Sequence, residues 1–204
     1  MAGRFILVVV RRGILGGTFD PPHLAHLLAG DIARSELALD VVTYLPAGSP
    51  WQKADRASAA AAHRWEMTRL AVAGVDYFEA DDREVQREGW TYTVDTLREF
   101  EGDDLVLILG SDAAAGLLTW HEPDAVVEMA EIAVVPRPGF GRAKVAKTVD
   151  RFSWLDGPLL DLSGSMLRER VRAGRSIRFL VPDQVRAYIA ASGLYGAEGE
   201  SPSL

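Results

Sequence analysis

The 204 residues are enough for one well-packed domain, and a second independent core is not expected. With 48% apolar and 25% charged residues the chain has the profile of an ordinary soluble globular protein, and its net charge of −7 argues against general attraction to nucleic acid or an anionic membrane. The absence of cysteine excludes disulfides, thiol nucleophiles and thiolate-bound metals.

The apolar run 5–10 is too short to span a bilayer and lacks the order of a signal peptide, so a cytoplasmic protein is expected. Residues 6–15 contain a first strand that ends at Gly16-Gly17. Behind it Leu24, Leu27, Leu28 and Ile32 recur at helical spacing. Residues 41–45, rich in β-branched side chains and stopped by Pro46, read as a second strand. The end of a helix is expected at 66–73, a short strand at 77–80 and a helix at 93–100. The continuous apolar run 105–109 suits a strand buried on both faces. Helices are expected at 113–118 and 123–130, a strand at 132–135 and a turn-rich break at 136–141, while 142–155 has no readable period. A last strand is expected at 159–162, then helices at 166–172 and 182–191. Alternating strands and helices predict an α/β fold, an open parallel sheet flanked by helices. The expected organisation is one domain over 1–195, with a small C-terminal helical part at 161–195 and a polar, fraying tail at 196–204. Ligands of such sheets sit beyond the carboxyl ends of the strands.

The segment Gly16-Gly17-Thr18-Phe19-Asp20-Pro21-Pro22-His23-Leu24-Ala25-His26 joins the first strand to the first helix. Its glycines can bring backbone close to a phosphate and adopt angles closed to other residues. A helix start favours an anion. His23 and His26, three apart, can share one face of the first turn and grip a phosphate, although two histidines so spaced can equally cap or pack. Neither G-x-G-x-x-G nor a P-loop is present. The string resembles the signature loop of the nucleotidyltransferase superfamily with the H-x-G-H motif, and in its longer form that of the bacterial nicotinate-mononucleotide adenylyltransferases. Ala25 departs from the family's usual glycine.

A second anchor lies at Ser163-Gly164-Ser165-Met166-Leu167-Arg168, where a serine can cap a helix or hold a phosphate and Arg168 can reach the same anion. It resembles the superfamily's I-S-S-T-x-I-R motif, with serine for threonine at 165, and residues 176–182 and Gly193-Leu194-Tyr195 match too. Arg170, Arg172, Arg175 and Arg178 are expected to form mostly a solvated face. Further resemblances are Trp51-Gln52-Lys53, Thr91-Tyr92-Thr93, Gly110-Ser111-Asp112 with Trp120, and Arg137-Pro138-Gly139. Without the family, Asp112 reads equally as a ribose ligand or a helix cap, and Thr91-Tyr92-Thr93 as a helix start.

The resemblance implies a Rossmann-like nucleotidyltransferase fold and adenylyl transfer from ATP to nicotinic acid mononucleotide, giving deamido-NAD and pyrophosphate. It implies catalytic roles for His23, His26, Lys53 and Arg168. ATP would meet Gly16, Gly17, Thr18, Phe19, Gly110, Asp112, Ser163, Ser165 and Arg168. The mononucleotide would meet Tyr92, Thr93, Trp120 and Arg137. Mg²⁺ would bind mainly through substrate phosphates and water, with no protein metal cage. The alternatives are another superfamily member, such as a pantetheine-phosphate adenylyltransferase or a cytidylyltransferase, or a non-catalytic nucleotide-binding module. No nucleic-acid or membrane partner is expected, the sequence leaves the oligomeric state open (a homo-oligomer included), and residues 1–9 are expected to be a dispensable extension.

Overall fold

The structure, a computed structural model, describes residues 9–48 and 59–196. Six strands, β1 (Arg11–Gly17), β2 (Val41–Pro46), β3 (Phe78–Ala80), β4 (Asp104–Gly110), β5 (Glu131–Val135) and β6 (Ser153–Trp154), form one sheet in the order β3-β2-β1-β4-β5-β6. Every neighbouring pair is parallel. This is the expected α/β architecture. The chain leaves β1 in one direction to β2 and β3, then returns to build β4 to β6 on the other side. The order therefore reverses between β1 and β4, the position where such sheets bind ligands.

The register opens a crevice there. The β1–β4 ladder runs from Arg11↔Asp104 only as far as Ile14↔Leu107. Beyond it β1 continues to Gly17 on β2, and β4 continues to Gly110 on β5. At the opposite end Arg11 pairs with Asp104 and, at 2.6 Å, with Glu131, while Arg12 pairs with Glu79 and, at 2.5 Å, with Asp103. These bonds pin the strand starts together and leave the far ends to splay.

Alternation along β4 explains why both faces are covered. Leu105, Leu107 and Leu109 join one buried cluster, whereas Val106 and Ile108 join another on the opposite face. The first cluster packs under α4 (Thr93–Arg98) and α6 (Pro123–Met129) through Val94, Leu97 and Val126, the second under α1 (Leu24–Leu37) through Ala29 and Ala33. A third cluster joins Met67 and Ala71 of α2 (Ala61–Val72) to Leu167 of α8 (Gly164–Arg172) and Val185 and Ile189 of α9 (Asp183–Ala191). The helix α1 ends where Ala38 turns left-handed at φ 51°.

Three expectations are corrected. Residues 159–162 form no strand, because Leu159 and Leu160 are exposed and meet no sheet edge; the sixth strand is Ser153–Trp154, inside the stretch without readable period. The helix expected at 113–118 is broken at Gly116 into α5 (Ser111–Ala114) and a 3-10 turn, Leu117–Thr119. Two short helices, α3 (Arg83–Gln86) and α7 (Arg142–Val145), were not anticipated. Of residues 1–9 only Val9 is described, and it is exposed; the rest of that expected extension, and the tail after Gly196, lie outside the described residues. No helix among the described residues is long and apolar enough to cross a membrane.

Candidate active site

The signature loop follows β1 at the mouth of the crevice. Among the described residues no atom lies within 4 Å of where a Cβ on Gly16 would stand. The expectation of unusual glycine angles is not met, since neither Gly16 nor Gly17 has positive φ; the left-handed residue is Phe19, at φ 48°. The Phe19 ring is 2% exposed and lies 3.1 Å from the Cβ position of Gly17. It meets His26 edge-on at 4.9 Å. Phe19 is thus the buried floor of the loop.

His23 ends the loop as the N-cap of α1, and its ring stacks on that of His26 with centroids 3.7 Å apart. The His23 backbone N–H donates to His26 Nδ1 at 3.2 Å. Because Nδ1 accepts, a neutral His26 carries its proton on Nε2, so this bond sets the donor nitrogen. His23 is 2% exposed, and burial, then the Arg137 charge, lowers its pKa to about 3. It is therefore a neutral imidazole at ordinary pH. Its Nδ1 is buried with no hydrogen-bond partner among the described residues.

The second motif is bound to the first. Arg168 donates from Nη1 to the carbonyl of Asp20 at 2.7 Å and from Nη2 to Ser165 Oγ at 3.2 Å. Gly164 permits this approach, since a Cβ there would stand 2.6 Å from the Asp20 carbonyl. Ser163 caps α8, its Oγ accepting from Met166 N–H at 3.2 Å. Arg170 turns back onto the Ser176 carbonyl at 2.8 Å, and Arg172, Arg175 and Arg178 are exposed.

On the other side of the crevice, a Cβ on Gly110 would stand 2.6 Å from Asp112 Oδ1 and 3.3 Å from Arg137 Nε, so these three residues share one space. The Arg137 N–H donates to the buried Ser111 Oγ at 2.8 Å, fixing the turn that carries it. Tyr92, the residue before α4, packs against His121 with ring centroids 4.4 Å apart and planes tilted by 32°. Trp120, next to His121, is half-buried against the same core cluster as Tyr92, and Thr93 begins α4. Burial raises the pKa of Glu84, which accepts from the Thr96 hydroxyl at 2.7 Å and so ties α4 to α3. Trp51, Gln52 and Lys53 lie outside the described residues.

The sequence reading missed Arg64 and His121. Arg64, 2% exposed, donates to the carbonyls of Thr18 (3.0 Å), Gly48 (2.8 Å), Ala59 (3.3 Å) and Ala47. One guanidinium thereby fastens the signature loop to the loop after β2. Its place in the helix pattern of α2 gave no signal, since carbonyls do not show in side-chain types.

Comparisons with known proteins identify the family. A model of the cytidylyltransferase-like family matches residues 14–170. The chain is 39% identical over 197 residues to a probable nicotinate-nucleotide adenylyltransferase of Desulfitobacterium hafniense, covering 91% of this chain and 95% of that one. It is 41% identical to one from Thermomicrobium roseum, covering 91% of each. Among solved structures, Plasmodium falciparum nicotinic acid mononucleotide adenylyltransferase, complexed with NaAD, superposes with a TM-score of 0.77 at 19% identity, covering 91% of this chain and 97% of that one. That likeness establishes the fold.

Proposed function

The chain belongs to the nicotinate-nucleotide adenylyltransferases, which transfer the adenylyl group of ATP to nicotinic acid mononucleotide, and we propose how its residues divide that work. An oxygen of the mononucleotide 5′-phosphate attacks the α-phosphorus of ATP; the bond from that phosphorus to the bridging oxygen breaks, and pyrophosphate leaves. Two anions meet, so catalysis consists of positioning and charge stabilisation, with no covalent enzyme intermediate.

His26 donates from Nε2 to the phosphate oxygens that gain charge, its tautomer held by the His23 N–H. His23 contributes as a neutral donor that adds no charge of its own. Thr18 and the backbone of Gly16 and Gly17 line the α-phosphate, and Arg168 with Ser165 holds the β- and γ-phosphates. Ser163 acts mainly as the cap of α8. Asp112 accepts from ribose hydroxyls of ATP beside Gly110. Tyr92, Thr93 and Trp120 hold the nicotinate ring and carboxylate, and Arg137, whose charge acts on His23, meets the mononucleotide beside Gly110. Mg²⁺, when bound to the phosphates, neutralises charge on their oxygens. Among the described residues no three His, Asp or Glu side chains are grouped to hold a metal, and this donor set suits an ion carried by phosphate and water.

The observation that supports this reading most is the 2.7 Å bond from Arg168 to the Asp20 carbonyl, which joins the two motifs directly. The test is pyrophosphate release with ATP against a panel of mononucleotides and phosphorylated alcohols. A site of N–H and hydroxyl donors satisfies a carboxylate but leaves the amide's NH₂ unpaired, so the acid is expected to win by at least roughly tenfold in kcat/KM over the amide. A phosphorylated pantetheine, or CTP in place of ATP, giving the higher efficiency would sink the assignment.

A further inference from the structure

Arg64 has no part in the division of work given above, yet its buried guanidinium bonds the signature loop itself. Nη1 donates to the Thr18 carbonyl at 3.0 Å and to that of Ala47, while Nη2 and Nε hold the Gly48 and Ala59 carbonyls. The helix that carries the guanidinium is well anchored. Met67 and Ala71 of α2 pack with Leu167, Val185 and Ile189, and the buried Thr68 hydroxyl donates to the Arg64 carbonyl at 2.8 Å. Burial lowers the Arg64 pKa and the Asp20 charge raises it; a guanidinium in this setting stays charged. Stability alone rarely calls for a buried charge, since well-packed apolar residues serve as well.

The bond to Thr18 has a directional consequence. In a trans peptide the carbonyl and the following N–H point in opposite directions. A Thr18 carbonyl held on Arg64 therefore turns the Phe19 N–H to the side away from that guanidinium. The orientation of this peptide relative to Phe19 is set by the φ of Phe19, which is 48°. That left-handed angle persists in a residue with a side chain only where the surroundings over-determine it. Here the buried ring fixes one side of the angle and Arg64 the other. The Ala47 N–H, donating to the Gly17 carbonyl at 2.9 Å, ties the same stretch from the loop after β2.

We infer that Arg64 is a positioning residue for adenylyl transfer: by holding the Thr18 carbonyl it aims the Phe19 N–H at the phosphate that reacts. This rests on the reading of the signature loop given above. Lysine in its place keeps the charge but has three donors for four carbonyls and no planar fork, so the peptide loses its fixed direction.

The test uses the full chain and the variants Arg64→Lys, Arg64→Gln and His26→Ala, each assayed for pyrophosphate release below its own melting temperature. In Arg64→Lys kcat should fall roughly tenfold or more, the effect of one mis-set charge-assisted hydrogen bond to the transition state. KM for ATP and for the mononucleotide should each stay within threefold, and Arg64→Gln should lose at least as much kcat. A lowered melting temperature with kcat unchanged would overturn the inference. So would KM values that rise by more than kcat falls, or failure of both Arg64 variants to fold, which would make Arg64 a folding residue. Any of these leaves the reading of the signature loop standing provided His26→Ala loses turnover. Near-normal turnover in His26→Ala would overturn that reading, and the inference with it.

Discussion

His26 shows how a single side chain is prepared as a hydrogen-bond donor. The His23 N–H occupies Nδ1, Phe19 supports the ring edge, and the stacked His23 fixes its plane, so Nε2 is the nitrogen left to carry the proton. His26→Ala should lower kcat by roughly a hundredfold, the usual cost of losing one preorganised transition-state donor. The melting temperature should move little, because the ring is only half-buried; near-normal turnover would remove His26 from the mechanism. The histidines were legible in the sequence because both lie in one loop whose glycines and prolines announce it. Arg64 and His121 were not. What matters about Arg64 is which four carbonyls it reaches, and what matters about His121 is that Tyr92, from a different element, lies on it.

The site depends on α1 being seated correctly, and that seat is a contact between Gly30 and Tyr44. The Tyr44 hydroxyl donates toward the carbonyls of His26 and Leu27 at 3.3 and 3.4 Å, in the turn that carries the histidine. A Cβ at position 30 would stand 2.1 Å from that hydroxyl oxygen. Gly30→Ala should therefore destabilise the protein by about 1–3 kcal/mol, the cost of overpacking, despite alanine's better helix propensity. Calorimetry would show it, and an unchanged or raised melting temperature would mean that α1 shifts freely. At this scale, elements with long apolar runs or clear periodicity, such as β4 and α1, could be read in advance. Strand β6 could not, since two residues carry no period; Ser153 and Trp154 become a strand only because β5 offers an unpaired edge at Ala133 and Val134. Leu159 and Leu160 had the right composition for a strand but no edge to join.

For the molecule as a whole, the buried neutral His23 couples folding to pH. Its pKa is about 3 in the folded protein against 6.5 when unfolded, so between these values the unfolded chain binds the extra proton. Stability from this group is present above pH 6.5 and is lost progressively as pH falls toward 3. Melting temperatures from pH 7 to 4 should fall less steeply for His23→Gln than for the parent, whatever the offset between them at neutral pH. Parallel curves would show that His23 is protonated without cost in the folded state. The overall architecture was legible because strands and helices alternate along the whole chain. The crevice itself was not, since it arises from where the β1–β4 ladder stops at Ile14 and Leu107.

The bond between Arg168 and Asp20 also has a consequence in time. Its two ends are separated by 148 residues, and the Tyr195 hydroxyl bonds the same aspartate from 175 residues away. At about 5–20 residues per second, a ribosome releases the histidine loop roughly 7–30 s before the arginine that bonds it. Throughout that interval the nascent chain can assemble its first strands and its histidine turn but lacks the arginine that bonds the Asp20 carbonyl. The contact between the two motifs is thus acquired at the end of synthesis, and a chain interrupted before α8 carries the signature loop without the arginine that fastens it.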